Sequence, residues 1–230
     1  VTPPSVSISG SYSAVCDNAP TPLTLTGNGA ATYDWNSGAG TGTTFVDTPI
    51  ASQTYTVVGT DTFGCSDTSD IITVIVNTSP NAAIISLDTT VFCAGDSVAL
   101  QSSFATGNVW FQNNSSTFVT SQNYSTTVSG SFNVVVTNSS NCSDTSNTIA
   151  VTVHPKPIAQ IAALDTTVFC SGDSVALQSS SVAGNIWFYN DTATALTSQF
   201  ILISKGGAYK SVVTNSFGCS GTSNSITVVV

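Results

Sequence analysis

One segment of this chain occurs twice. Leu87–Asn108 reads LDTTVFCAGDSVALQSSFATGN, and Leu164–Asn185 reads LDTTVFCSGDSVALQSSSVAGN, 77 residues later. A chain that repeats at a fixed step is a row of like units, so the fold must be one that a stretch of this length can close. The same step carries Trp110 to Trp187 and Cys142 to Cys219 without a gap. A more diverged copy comes first: Pro3, Cys16, Leu23, Tyr55 and Cys65 stand 77 residues before Pro80, Cys93, Leu100, Phe132 and Cys142, with Trp35 out of step by two. Pro3, Pro80 and Pro157 mark where copies begin, which sets three domains at 1–79, 80–156 and 157–230. The joints Asn77-Thr-Ser-Pro80 and His154-Pro-Lys-Pro157 are short, and proline fixes its own φ and restrains the residue before it. We expect semi-rigid joints.

Within a copy, runs of Val, Ile, Thr and aromatics alternate with polar residues and are broken by Gly, Asn and Ser, while no stretch has a 3.6-residue period with caps. The chain is therefore expected to be all-β. In the second copy the pattern predicts strands near Ala83–Leu87, Ser97–Ser102, Asn108–Gln112, Asn123–Val128, Phe132–Thr137 and Thr148–Val153. Alternation puts Val98, Leu100, Trp110, Phe132, Val134, Val136, Ile149, Val151 and Val153 on the inner face of a two-sheet sandwich. Trp35, Trp110 and Trp187 are the expected centres of three cores.

Units this small need help beyond their cores. Six cysteines, at 16, 65, 93, 142, 170 and 219, occur without a C-x-x-C pair, and the only histidine is His154. That set reads as disulfides made in an oxidising compartment rather than a zinc site. In each copy the two cysteines are 49 residues apart. The expectation is one disulfide per copy, Cys16–Cys65, Cys93–Cys142 and Cys170–Cys219, each closing a loop of about 50 residues worth roughly 4 kcal/mol.

The remaining composition excludes function classes. Twelve Asp, no Glu, no Arg and three Lys give a net charge of −9, so the basic stripe that grips phosphates is missing and nucleic acid is not an expected partner. No apolar run reaches the roughly 20 residues that a helix needs to cross a bilayer, so no membrane insertion is expected in this segment. The lack of methionine, even at position 1, and the end at Val230 within an apolar pattern suggest an excerpt of a longer exported precursor. Catalysis needs a convergent acid, base or nucleophile, and the Asp residues sit mostly beside turns, where their side chains bond backbone amides; no enzyme activity and no cofactor are expected. Calcium is the secondary expectation for Asp61, Asp67 and Asp70, three hard oxygen donors around one turn, although no D-x-D-x-D-G loop exists. Phe111, Phe188 and Tyr189 lie beside the buried tryptophans and are candidates for outward contacts with sugars or partners.

Cys93-Ala-Gly-Asp-Ser-Val-Ala-Leu100, the tryptophan that follows it, and Thr214-Asn-Ser-Phe-Gly-Cys-Ser220 together carry a resemblance. The Cys, Trp, Cys order is similar to an immunoglobulin domain, and the fuller pattern resembles the immunoglobulin-like tandem repeats of giant type 9 secreted Bacteroidota surface proteins. The first copy departs from it with Asn18-Ala19-Pro20, and the second with Asn141 in place of the glycine. The resemblance implies an extracellular, cell-surface location and a stalk, adhesin or filament role. It also implies O-glycosylation at Thr89, Ser97, Thr166, Ser174 and Thr192, each preceded by Asp. Three functional classes follow: a structural or adhesive repeat segment, a subunit region of a self-assembling filament, and a non-catalytic accessory region of a secreted hydrolase. The expected partners are other repeats of the same chain, a homo-oligomeric filament, or a surface ligand or glycan.

Overall fold

A computed structural model describes residues 2–36 and 38–230, and all regular structure among them is β-strand. These residues form two compact units, Val1–Ile85 with Gln101–Tyr124 and Phe132–Thr148, and Ser86–Leu100 with Ser125–Ser131 and Ile149–Val230. The first unit holds all of the first copy, the second all of the third, and the second copy contributes strands to both.

The third copy shows why this sequence closes as a sandwich. Ile161–Ala163, Val175–Ser179 and Phe200–Ile203 form one antiparallel sheet, with Val175 opposite Ile203 and Leu177 opposite Ile201. Asn185–Tyr189 runs against Gly207–Thr214, which also carries Ser220–Thr222 and Ile226–Val228. Alternate side chains turn inward from both sheets, so Ile161, Val175, Leu177, Trp187, Ile201, Ile203, Tyr209 and Val228 make one core. The first copy repeats the plan. Ser7–Gly10, Leu23–Asn28 and Thr44–Asp47 face a second layer built on Thr32–Trp35, Val57–Thr60 and Ile72–Asn77, around Leu23, Leu25, Trp35, Tyr55, Val57 and Val74. The fold is all-β and immunoglobulin-like.

Trp35, Trp110 and Trp187 are fully buried. A buried indole N–H needs an acceptor, and each finds a carbonyl on the strand-free stretch beside it: Gly42, Ser121 and Ser198, at 2.8, 2.9 and 2.9 Å. In the second copy, Trp110 stacks on Tyr124 at 5.4 Å between ring centroids, and Tyr124 meets Phe132 at 5.6 Å. Asn108–Gln112 and the core-facing Val98, Leu100, Phe132, Val134, Val136 and Val151 occupy the positions the alternation indicates, while Ile149 and Val153 are only half-buried.

Two further features depart from the sequence reading. Short strands Ala14–Cys16 and Val91–Cys93 run parallel to Ile72–Asn77 and Ile149–His154, with Asn77 opposite Cys16 and His154 opposite Cys93. The first cysteine of a copy is thus the end of a three-residue strand held beside the last strand, not the start of a core strand. The expected pairing within each copy is therefore corrected. The disulfides are Cys16–Cys142 and Cys93–Cys219, each spanning 126 residues, and Cys65 and Cys170 are unpaired.

Strand length gives the physical reason. In the third copy Phe169 donates its N–H to Val229, next to Val228, which lies opposite Gly207, while Cys219 precedes Ser220, which lies opposite Thr214. Cys170 and Cys219 are therefore at the two ends of the eight-residue strand Gly207–Thr214. At ~3.3 Å per residue that strand is roughly 25 Å long, whereas a disulfide needs Cα atoms about 4.4–6.8 Å apart.

Two predictions follow from these cores. Gly184 has φ +74°, and a Cβ there would lie 2.1 Å from the Thr214 carbonyl oxygen. Gly184→Ala combines a left-handed backbone with a clash against backbone, so it should cost the third copy at least about 2 kcal/mol in urea unfolding. Tyr55 is buried and its hydroxyl donates to Asp47 at 2.7 Å; burial, then the Asp47 carboxylate, push its pKa up to about 12. The folded state favours neutral Tyr55, so this contribution is complete below pH ~10 and lost between ~10 and ~12. Alkaline titration of stability should show that fall, and Tyr55→Phe should flatten it.

Candidate functional site

The two disulfides fall where one copy meets the next, and each meeting lies inside one compact unit. Every copy has a trailing pole, with the end of its last strand and its first cysteine, and a leading pole, with its first residues and its second cysteine. At the first joint, Cys16 bonds Cys142 with a Cα–Cα separation of 5.6 Å. Asn18 Nδ2 donates to the Ser143 carbonyl at 2.8 Å, and Asp17 Oδ1 accepts the N–H of Ser79 in the linker at 2.8 Å. At the second joint, Cys93 bonds Cys219, also with 5.6 Å between Cα atoms.

An asparagine turn shapes each leading pole. Asn138 Oδ1 accepts the N–H groups of Ser140 and Cys142, which folds the turn and presents the cysteine, while its Nδ2 donates to the linker carbonyl of Thr78 at 2.7 Å. Asn215 does the same with Phe217, Cys219 and the Pro155 carbonyl. One amide side chain thus sets the local turn and ties it to the preceding linker, which requires both an acceptor and a donor. In the first copy Asp61 folds the same turn through Phe63 and Cys65 but has no N–H to give.

The linkers fit closely. Cys142 Sγ lies 3.9 Å from the Asn77 oxygen and Cys219 Sγ 3.9 Å from that of His154, and both cysteines are fully buried. His154 stacks on Phe217 with centroids 3.9 Å apart and planes 9° from parallel. Asp144 reaches across to the Ala82 N–H at 2.9 Å. The equivalent position in the third copy is Gly221, where a Cβ would stand 2.0 Å from the Pro157 oxygen. The two joints close the same gap by different means, a reaching carboxylate and a missing side chain.

The other sequence-predicted residues are dispersed. Asp61 is engaged by two backbone N–H groups, and Asp67 and Asp70 are exposed. No group of three His, Cys, Asp or Glu that could hold a metal occurs among the described residues. Thr89, Ser97, Thr166, Ser174 and Thr192 are all exposed. Phe111, Phe188 and Tyr189 are partly covered, with Lys210 Nζ 5.7 Å from the Phe188 ring centroid and Lys205 Nζ 4.8 Å from that of Tyr189. Sequence reasoning missed Asn138, Asn215 and Phe217 as joint residues; their signal was an Asn or Asp four residues before every second cysteine.

The bridges make a chemical prediction. Peptide mapping without reductant should recover Cys16 linked to Cys142 and Cys93 linked to Cys219, with alkylating reagent on Cys65 and Cys170 alone. A Cys16–Cys65 or Cys170–Cys219 peptide would contradict the joint geometry. Each bridge closes a loop worth about 5 kcal/mol in the chain-entropy model, so Cys16→Ser with Cys142→Ser should lower the stability of the first unit by up to that amount.

No family model and no curated protein matches this chain. Among solved structures it is similar to Drosophila OTK extracellular domains 3–5, at 13% identity over 100% of this chain and 98% of that one, with a TM-score of 0.41. Murine CEACAM1b matches at 18% identity over 65% of this chain and all of the other, with a TM-score of 0.33. The fibronectin(III)-like modules of Clostridium thermocellum CbhA match at 8% identity over 64% and 93%, with a TM-score of 0.34.

Proposed function

We propose that this chain is a non-catalytic structural and adhesive repeat segment of a large secreted bacterial cell-surface protein, of the kind exported by type 9 secretion. The observation that carries this reading is the placement of the disulfides across the joints between copies. A bridge inside a copy would protect only that copy. A bridge across a joint fixes the hinge between neighbours and makes part of any tensile load pass through sulfur rather than through sheet hydrogen bonds. Disulfides persist outside the cytoplasm, which supports an extracellular place of work. The exposed Thr and Ser sites along the chain suit glycan attachment there.

Covalent topology gives the test. A route from one end to Cys16, across to Cys142, back to Cys93 and across to Cys219 passes through about 76 residues instead of 230. At ~3.5 Å per residue the taut chain is then roughly 270 Å long rather than roughly 800 Å. Single-molecule pulling should stop near the shorter length without reductant and reach the longer one with it. Full extension without reductant would remove the load-bearing role. Antibody labelling of intact source cells should place these repeats outside, and labelling only after lysis would remove the surface role.

A further inference from the structure

The bridges obey a rule: the first cysteine of a copy bonds the second cysteine of the next copy, 126 residues on. Two cysteines remain outside it, Cys65 on the leading pole of the first copy and Cys170 on the trailing pole of the third. They are of opposite kind, one a second cysteine and one a first.

The surfaces around them are uncovered versions of surfaces that elsewhere in the chain are docked. Phe63 is the equivalent of Phe217, which stacks on His154 of the preceding copy, yet Phe63 is 78% exposed. Cys142 and Cys219 are fully buried by the joint, whereas Cys65 is partly exposed. At the trailing pole, a Cβ on Gly95 would meet Lys156 Nζ of the following linker at 3.3 Å, while one on the equivalent Gly172 would meet nothing within 4 Å. Cys170 is exposed beside it, next to a hollow lined by Asp165, Thr166, Phe169 and Asp173.

We propose that the occupant of each pole is a second copy of this chain, joined head to tail through a Cys170–Cys65 disulfide that reproduces the internal joints. Such an interface is heterologous and does not close on itself, so it propagates a linear polymer. The two thiols lose two protons and two electrons on forming the bond. A disulfide oxidant such as oxidised glutathione accepts them and leaves as two thiols, through a mixed disulfide that the second cysteine resolves. Asp61 cannot make the linker hydrogen bond of Asn138 and Asn215, so here the sulfur bridge and the Phe63 face supply the attachment. The proposal rests on the disulfide-clamped reading of the joints.

The test uses the whole 230-residue chain in a glutathione redox buffer, read on a non-reducing gel and by peptide mapping. A ladder rising by one chain mass is expected, collapsing with reductant, with Cys65–Cys170 as its cross-link. Cys65→Ser alone and Cys170→Ser alone should stay monomeric, and their equimolar mixture should give dimer and nothing larger. Phe63→Ser should slow dimer formation in that mixture at least fivefold, while leaving the reaction of Cys65 with a small maleimide within twofold. Dimerisation of either single variant by itself, or a wild-type chain that ends as monomeric glutathione adducts, would overturn the proposal. If the Cys16–Cys142 and Cys93–Cys219 peptides persist in that failed case, only the polymer falls; if they too are missing, the clamped-joint reading falls with it.

Discussion

The bond between the first cysteine of one copy and the second of the next is the constraint on which the joints depend. It requires each copy to carry its cysteines at opposite poles, and the strands do this by their direction. Cys16 and Cys93 end short strands held in parallel register beside Asn77 and His154, the last residues of their copies' final strands. Cys142 and Cys219 follow turns at the other pole, beside the residues with which their copies begin. When one copy ends and the next begins within a few residues, the trailing cysteine of the former is delivered to the leading cysteine of the latter. Proline in the linker keeps that delivery short and directed.

Inside each copy, stability comes from a different source. A tryptophan with its N–H satisfied sits among Leu, Val and Ile from both sheets, and the polar side chains between them stay wetted. Such a core is complete without an internal cross-link, which leaves sulfur free to act between copies. The joints combine this covalent bond with few and specific polar contacts: an asparagine that both accepts and donates, and a linker carbonyl within reach. Asp144 and Gly221 show that the contact can be rebuilt with different chemistry as long as the gap closes. The disulfide sets the distance, and the side chains adapt to it.

The repeat, the all-β class and the inward set of the second copy were legible because they are local. Alternation over Asn108–Gln112 is a property of five adjacent residues, and a 77-residue step needs only self-comparison. What was not legible is long-range. Val91-Phe-Cys93 is too short and too evenly apolar to show alternation, and its parallel partner lies some 60 residues on, at Thr152–His154. Ser115–Ser116 and Ser143–Thr145 are polar strands that pair with Phe111 and Val135, and nothing in their own composition reports it. Reading Cys93 as the start of a core strand placed it on the wrong pole, and the wrong disulfide followed.

The deeper ambiguity belongs to the repeat itself. In an array with two cysteines per unit, pairing within a unit and pairing with the next unit use the same residues at separations that differ by one period, here 49 and 126. Cysteine counting cannot separate them; only the direction of the strands between the cysteines can. The two solutions differ in one consequence that no number of units removes. Pairing within units leaves every cysteine satisfied, whereas pairing between neighbours always leaves one unpaired at the leading pole of the first unit and one at the trailing pole of the last. The termini of a clamped array are thus chemically complementary, and each keeps the geometry that its interior equivalents use to bond.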